Sequence, residues 1–451
     1  MLQLLIMRLS KVSKVSYFIR LSCTILILIS STAQATNGYF QIGYGAESIA
    51  MGGTAVALPG SGMVLATNPT AMTHSPQGWQ IGLRWFNPDR DARLDCSGVF
   101  ACDRSLESKS SSRHFFIPEA SYIRSLNQNW TMGIAAYGNG GMNTDYSRNI
   151  IDQAFAATAA APVNTGTGYP DTAGSLGVDL AQLIFAPSIA YKVNGNNSFG
   201  VSLLMAAQRF QSEGLVIFAG LSSDPTNLTN RNHDMSYGLG IKIGWFSQPH
   251  PQFSWGISYS SKVYMSEFDS YSGLFAEQGD FDIPASLVIG FAFKPTNKLT
   301  IAMDAQRIFY SKIKAINISG PTEVELAGVI DQNRQLGAAQ GIGFGWETIN
   351  VYKLGMSYAL DNHWVLRAVY NHNQSPINNK EVLINILSPG IVTDHVTLGV
   401  SYKINTDTTI NLAYMHAFDA SQKDNSTAFF GSRASVRMNQ NSLNISFSKT
   451  Y

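Results

Sequence analysis

Alternation of large apolar residues with small or polar ones is the feature that most limits how this chain folds. In YGLGIKIGW, positions 237, 239, 241, 243 and 245 carry Tyr, Leu, Ile, Ile and Trp, and the positions between them carry Gly, Gly, Lys and Gly. The same pattern returns in FSWGISY, YKLGMSY and VTLGVSYKI. A period of two predicts strands with one apolar face. Both a soluble β-sandwich and a transmembrane barrel show it.

The composition of the two faces favours the barrel. The large face ends in aromatic residues, as a lipid-facing band with aromatic girdles requires, whereas the other face carries Gly, Ala, Ser and isolated charges. Charged residues make up only 14% of the chain, against about 25% in a typical soluble domain. The near-balance of 31 basic and 30 acidic side chains argues against a nucleic-acid partner.

The lengths of the connections give a second argument for a barrel. Short turns occur at LNQNW, VNGNNS, SQPHPQ, KPTNK, LDNHW and NTDTT, and much longer connections separate them, including 147–180, 212–233 and 311–346. Tight periplasmic turns that alternate with long outer loops are typical of outer-membrane barrels. Six short turns with both termini in the periplasm imply seven long loops, and therefore an all-β, antiparallel transmembrane barrel of about 14 strands, an even number as such barrels have.

Both ends of the chain agree with export to an outer membrane. Basic residues between positions 8 and 20, the apolar LSCTILILIS and the small-residue STAQA predict a signal peptide over residues 1–35, cleaved after Ala35. The last strand, SLNISFSKTY, alternates and ends on an aromatic residue. That ending resembles the signature which the barrel assembly machinery recognises, so we expect this machinery and outer-membrane lipids as partners.

Two cysteines, Cys96 and Cys102, follow the predicted signal peptide, in DCSGVFACD. In an oxidising compartment they predict a local disulfide that staples a loop. A metal site would need two more ligands, and His114 is the single candidate nearby. We therefore predict neither a metal site nor a cofactor.

Several segments, in order along the chain, resemble the FadL-type family of outer-membrane transporters for long-chain fatty acids and other hydrophobic compounds. NGYFQIGYGAESIAMGGTAV and ATNPTAM resemble the family's N-terminal hatch, with Asn68-Pro69-Thr70-Ala71 in place of its Asn-Pro-Ala element. IPEASYIRSLNQNWTMGIAAYGNGG resembles the second and third strands, and FAPSIAYKVNGNNSFGVSL the fourth and fifth. The resemblance runs from about residue 37 to the C-terminus.

The resemblance implies both an architecture and a mechanism. Residues 36–76 would form a hatch that plugs the lumen of a barrel formed by residues 77–451. Passive uptake would proceed by capture at the outer loops, binding in the lumen, rearrangement of the hatch and lateral release at a kink in the third strand. The protein is expected to be a monomer and to bind a hydrophobic small molecule.

Few charges lie on the predicted inward face, and two of them are candidates to hold a ligand's carboxylate. Lys242 and Arg367 lie near mid-strand, where either offers a charge-assisted hydrogen bond. The alternative is that each pairs with an inward acid, such as Asp304 or Glu119, or with the hatch. Tyr39 and Phe40, next to the glycine-rich part of the hatch, are the hatch residues predicted to reach the ligand.

Capture of a hydrophobic ligand requires exposed apolar surface. Two predicted outer loops contain apolar runs, IIDQAFAATAAAPV with Phe155 and GLVIFAGL with Phe218. These runs predict a capture groove. The alternative is that they extend strands or pack on each other.

Glycines mark two further sites. GYGAESIAMGGTAV begins like a G-x-G-x-x-G dinucleotide loop, but Ser48 replaces the third glycine and no βαβ unit surrounds it. Gly43, Gly45, Gly52 and Gly53 are better explained as residues that let a hatch fold compactly and rearrange.

The second glycine cluster ends the predicted third strand, in AAYGNGGMN. Gly138, Gly140 and Gly141 predict a bulge or kink that opens the barrel wall, because glycine within a strand often marks such an irregularity. A simple transition from strand to loop is the alternative.

Other functions remain open at this stage. The sequence does not separate fatty-acid from aromatic-hydrocarbon uptake, although lumenal cations favour a carboxylate. A general porin or an adhesin would share the barrel without needing a hatch. A hydrolase would need a catalytic constellation, and His363, His395 and His416 lie on different strands without a catalytic signature, so no enzymatic activity is predicted.

Overall fold

The computed structural model describes residues 37–95, 105–156, 174–425 and 430–451. The predicted signal peptide and the Cys96–Cys102 pair lie outside these residues. No helix in the described part of the chain is both long and apolar enough to cross a membrane.

Fourteen strands in the described residues form one closed antiparallel barrel, because the last strand pairs with the first. In chain order they are β1 Gly78–Asp95, β2 Phe115–Ser125, β3 Trp130–Tyr146, β4 Leu176–Lys192, β5 Asn197–Glu213, β6 Asp234–His250, β7 Phe253–Ser260, β8 Ser286–Phe293, β9 Leu299–Ile308, β10 Ile349–Ala359, β11 Trp364–Asn373, β12 Asp394–Lys403, β13 Thr408–Lys423 and β14 Arg433–Thr450. Two short strands, Leu106–Lys109 and Tyr264–Met265, add to the edges of β1 and β6. The predicted strand number is confirmed.

Short and long connections alternate around the barrel as predicted. The six short ones, including 126–129 and 404–407, lie at the end where Gly78 pairs with Thr450, so the barrel's own two ends share that side. The long ones contain most of the short helical segments. These are Ile150–Ala156, Val216–Leu221, Pro225–Asn227, Asp269–Tyr271, Ala276–Gly279, Tyr310–Lys312, Lys314–Asn317, Glu323–Leu326, Gln332–Arg334 and Ile384–Ile386.

The alternating apolar face lies on the outside of the barrel. Ile241 is 53% exposed while its neighbour Lys242 is 8% exposed, and Leu398 is 61% exposed while Thr397 is 1% exposed. Aromatic pairs lie near the short-turn end, with ring centroids 4.5 Å apart for Trp364 and Tyr402. A surface of this kind needs lipid to cover it, and the aromatic residues form the girdle expected at the membrane interface.

Residues 37–77, the N-terminal segment, pack against the inward face of the barrel. The segment contains helix α1 (Ala46–Ala50) and the 3-10 helices Gly62–Ala66 and Pro69–His74. Asn68 caps the last of these through the Thr70 amide, while its side-chain amide donates to the Trp245 carbonyl of β6 at 3.3 Å. Pro69 occupies the first helical position, where no amide donor is needed.

Four glycines of the N-terminal segment are sites of close approach. Gly53 has a φ of +80°, and a Cβ there would lie 1.6 Å from the Ile42 carbonyl oxygen. A Cβ on Gly52 would lie 2.1 Å from Cγ1 of Val369 on the barrel wall. Gly43 and Gly45 pack similarly, against Gly53 and Met63. Only glycine permits this compact path. Within the described residues before Gly43, 37–42, there is no strand of the kind that leads into a dinucleotide loop.

Candidate functional site: a lumenal cavity beside a gap in the wall

A cavity lies between the N-terminal segment and the barrel wall, and its volume is about 680 Å³ when the open space at its mouth is included. Part of its lining is apolar and aromatic: Phe40, Ile42, Tyr44, Tyr137, Ile184, Leu204, Val263, Ile283 and Val288. Hydroxyl and amide groups from Asn139, Ser258, Ser260 and Gln306 complete it, together with two lysines. We call it the outer cavity, because Val263 and Ile283 belong to a long outer connection.

The two lysines are Lys242 of β6 and Lys353 of β10. Lys242 Nζ donates to the Ala66 carbonyl and lies 6.0 Å from the centroid of the Tyr137 ring. Lys353 Nζ donates to the carbonyls of Ile42 at 3.2 Å and Gly53 at 3.4 Å. The predicted inward position of Lys242 is therefore correct, and its hydrogen-bond partner belongs to the N-terminal segment, as the alternative foresaw.

Arg367, the second predicted carboxylate ligand, does not line the outer cavity. Its Nη2 donates to Glu47 of helix α1 at 2.8 Å, and its Nη1 donates to Ser401. This ion pair lies towards the periplasmic end of the lumen, beside other cavities. The structure thus separates the two cations that the sequence analysis had grouped.

Tyr39 and Phe40 take different positions. Phe40 lines the outer cavity. Tyr39 is fully buried in an aromatic cluster with Phe281, Tyr310 and Trp346, at centroid distances of 5.2 to 6.3 Å. Its direct contact with the ligand remains a prediction.

Tyr310, in the long connection after β9, ties the start of the N-terminal segment to the outer loops. Its hydroxyl accepts hydrogen bonds from the amides of Tyr39 at 3.1 Å and Phe40 at 3.3 Å. The same hydroxyl donates to the Asn37 carbonyl at 2.6 Å. One side chain therefore binds the backbone of three residues within the segment 37–40.

Two of the apolar residues predicted to form the capture surface are buried rather than exposed. Phe218 is 3% exposed and Leu215 is 1% exposed, so both pack within the loop layer. Burial of the apolar run in its own 3-10 helix explains the difference from the prediction. Phe155 lies in the helix Ile150–Ala156, but its side chain is outside what the structure describes.

The third strand breaks away from the second at the predicted glycines. Strands β2 and β3 pair from Ser125–Thr131 up to Glu119–Tyr137 and no further. Beyond Tyr137, β3 remains paired with β4, with a register shift between Gly138 and Gly140. The wall is consequently unpaired between residues 115–118 of β2 and residues 138–142 of β3, a region that we call the wall gap.

The N-terminal segment covers the inner side of the wall gap. Phe40 forms a bridge with Gly140, and the Gly141 amide donates to the Tyr39 carbonyl at 3.2 Å. A Cβ on Gly140 would lie 2.1 Å from that carbonyl oxygen. Residues 138–144 are accordingly buried on both faces. The register shift thus falls at the glycines from which a kink was predicted, and Gly140 is required because backbone packs directly on backbone.

Pro118 marks the lower boundary of the gap on β2. Proline has no amide donor, so it favours a position where pairing on one edge of a strand ends. Pro118 pairs with Leu83 of β1, and pairing with β3 begins only at the next residue, Glu119. The proline of the IPEA motif, residues 117–120, is thus a local sequence feature from which the end of this pairing could have been predicted.

A polar contact layer separates the outer cavity from the wall gap. The side chain of Gln41 donates to the Gly138 carbonyl and accepts from Arg84 Nη1 at 2.7 Å. The Tyr44 hydroxyl donates to Asn139 Oδ1 at 3.2 Å. Gln41, Tyr44 and Asn139 also line the cavity. A single layer of these side chains therefore separates the outer cavity from the wall gap.

An ion pair lies at the outer rim, next to the cavity. Lys262 lies in the connection that follows β7, and its ammonium pairs with Asp282. Burial, and then the nearby charge of Asp282, raise the pKa of Asp280 to about 6. The Asp280 carboxyl is therefore protonated more readily than an ordinary aspartate.

Comparison with known proteins agrees with this architecture. Residues 26–451 match the model of a family described as outer membrane protein transport protein (OMPP1/FadL/TodX). No curated relative matches the chain.

Solved structures of similar fold come from several bacteria. The Pseudomonas putida toluene transporter TodX is 21% identical, with a TM-score of 0.64 over 92% of this chain and 100% of that one. A Pseudomonas aeruginosa FadL homologue is 15% identical, with a TM-score of 0.63 over 92% and 99%. The Ralstonia pickettii toluene transporter TbuX is 18% identical, with a TM-score of 0.58 over 91% and 99%. At these identities the likeness establishes the shared fold.

Proposed function

Because the chain belongs to the OMPP1/FadL/TodX family of bacterial outer-membrane transport proteins, we propose that it takes up carboxylate-bearing amphiphiles, such as long-chain fatty acids, by passive diffusion. The carboxylate binds between Lys242 and Lys353 in the outer cavity, and the apolar tail lies along the cavity's hydrophobic lining. The family is one of transporters, and no catalytic step is part of the proposal.

The pair of buried ammonium groups carries this proposal. Lys242 and Lys353 are 8% and 6% exposed, and both contact backbone carbonyls. Among the described residues neither forms a salt bridge within 4 Å of a carboxylate. Asp304, opposite Lys353 on β9, interacts with it electrostatically, but its carboxylate accepts hydrogen bonds from the amides of Ala55 and Val56. Buried charges normally require a partner. A ligand carboxylate would provide one through charge-assisted hydrogen bonds.

The tail supplies the remaining affinity and the route out. Each methylene buried against residues such as Ile184, Leu204 and Val288 contributes about 0.8 kcal/mol. From the cavity the ligand has only the layer of Gln41, Tyr44 and Asn139 to pass before it reaches the wall gap. We infer that residues 36–76 act as a hatch whose movement opens this layer and releases the ligand sideways into the bilayer.

The proposal is tested with Lys242→Met, Lys353→Met and the double variant, each assayed for binding of dodecanoate and of its neutral analogue dodecane. Loss of a hydrogen bond between charged groups costs about 1.5–3 kcal/mol, so dodecanoate affinity should fall roughly ten- to a hundredfold. Dodecane affinity should change little, and Lys242→Arg should retain most dodecanoate binding. Equal effects on both ligands, or none on either, would contradict a carboxylate site.

Uptake of neutral aromatic compounds is the second candidate. The aromatic rings of Phe40, Tyr44 and Tyr137 line the same cavity, and two proteins of similar fold are described as toluene transporters. On this hypothesis the lysine variants would bind and take up toluene like the wild type, and dodecanoate would bind weakly to all of them.

A further inference from the structure

We propose that the lumen holds a second carboxylate site, on the periplasmic side of the N-terminal segment. Arg367 binds the carboxylate of the ligand there, and the Glu47 carboxylate pairs with Arg367 when no ligand is bound. The ligand class rests on the proposed function, whereas the site is distinct from the outer cavity. It lies on the opposite side of the N-terminal segment from the outer cavity and from the wall gap.

Two cavities at the periplasmic end meet at the Glu47–Arg367 pair. One has about 940 Å³ of empty space and lies between the N-terminal segment and the ends of β11–β14 and β1. The other has about 650 Å³ and lies towards β8–β11. Both are lined by Glu47, Arg367 and residues 59–61.

Cations dominate the lining of these periplasmic cavities. Besides Arg367, the larger cavity is lined by Lys403 and Lys449, and the smaller one by Lys294. Glu47 is the one acidic residue in either lining. The excess of positive charge favours an anion there, and the cavities have room for an attached apolar chain.

The two side chains of the ion pair differ in exposure, and the difference favours replacement of Glu47 by the carboxylate of a ligand. The Arg367 side chain is 7% exposed, and that of Glu47 is 30% exposed. Arg367 is also fixed through Ser401, which in turn donates to Asn411. A guanidinium presents five donors and binds carboxylates in a bidentate manner. An incoming carboxylate can therefore replace Glu47 on an arginine that stays in place.

The second site lies directly below the first. Arg367 is opposite Ser357 on β10, four residues from Lys353, so the two cations are separated by about 13 Å along the strands. Between them lie Gly355 and Val369, against which residues 51–54 pack. One layer of the N-terminal segment thus divides the two cation sites, and Glu47 belongs to the helix at its edge.

The test counts bound dodecanoate by native mass spectrometry and measures affinity by calorimetry, on the purified full-length protein. We compare wild type with Glu47→Gln, which keeps the side chain's size and removes its competing charge. Glu47→Gln should strengthen the weaker of two dodecanoate sites about tenfold. Adding Arg367→Met should remove that site. Lys298→Gln, a periplasmic-turn lysine outside both linings, is the matched control.

The outcomes separate this inference from the proposed function. A single dodecanoate site in both wild type and Glu47→Gln, or an unchanged weaker site in Glu47→Gln, would overturn the second site. An equal gain for neutral dodecanol would overturn it as well, because removal of a competing carboxylate favours only anions. Failure of the outer site appears instead in the Lys242 and Lys353 variants. Heat-modifiable migration in gels confirms that each variant is folded.

Discussion

Replacement of Gly140 by alanine tests whether the N-terminal segment closes the wall gap by direct backbone contact. The added Cβ would lie 2.1 Å from the Tyr39 carbonyl oxygen, where ordinary contact begins at 3.4 Å. The two backbones would have to separate by about 1.3 Å, the difference between these distances. Neither chain can yield by rotating a side chain, because the clash is with backbone.

The separation breaks two hydrogen bonds that are already long. The Gly141 amide lies 3.2 Å from the Tyr39 carbonyl, and the Gln41 amide lies 3.4 Å from the Asn139 carbonyl. Each bond contributes about 0.5–1.5 kcal/mol, so Gly140→Ala should destabilise the docked state by roughly 1–3 kcal/mol. The population of molecules in which the N-terminal segment is detached from β3 should then rise about 5- to 150-fold.

Hydrogen exchange measures this population directly. In Gly140→Ala, amides in peptides covering 37–44 and 138–146 should exchange faster by that factor, and ligand uptake should accelerate. Gly195→Ala is the matched control, since a Cβ at that turn position meets nothing within 4 Å. Unchanged exchange in Gly140→Ala, or an equal rise in Gly195→Ala, would refute the reasoning.

Three further predictions concern the attachments of the N-terminal segment and the outer rim. Tyr310→Phe removes a hydroxyl that contacts three backbone groups, so exchange at residues 39–40 should rise while barrel unfolding is unchanged; slow exchange there would contradict the tether. Gly62→Cys with Ser121→Cys, in a background without the native cysteines, places two Cβ atoms 3.3 Å apart, near the disulfide range of about 3.5–4.5 Å. Oxidation of this pair should stop uptake, and a reductant should restore it. Continued uptake by the oxidised protein would exclude a moving hatch. The pKa of Asp280 is raised from 3.8 to about 6, so the stability linked to its neutral form is complete below about pH 4 and is lost as pH rises through 6. Asp280→Asn should abolish this decline in the thermal midpoint of unfolding between pH 4 and 7. An identical pH dependence in the variant would exclude Asp280 as its source.

The barrel could be predicted because its signals are local. Alternation over seven or eight residues, as in FSWGISY, indicates a strand and its lipid face, and turn lengths give the order and sidedness of the strands. The kink was also predictable, because Gly138 and Gly140 lie within one short motif. Pro118 gave a matching signal on the neighbouring strand.

The candidate site was less accessible to sequence reasoning because its contacts join distant parts of the chain. Lys242 and Ala66 are 176 residues apart, and Arg367 and Glu47 are 320 apart. Alternation shows that Lys242, Lys353 and Arg367 point inward, but not on which side of the N-terminal segment each one lies. Tyr310 is in an irregular loop, where no periodic pattern distinguishes it.

The unequal pairing of β3 has a mechanical consequence. Seven of its residues pair with β2, whereas 16 pair with β4, so the β2–β3 boundary is the less strongly held of its two edges. Under denaturant or a pulling force we expect the cylinder to begin to unzip along this boundary. On the proposed lateral route, mutations that close this boundary should raise the barrel's resistance to unfolding and lower its rate of uptake, so the two properties would oppose each other there.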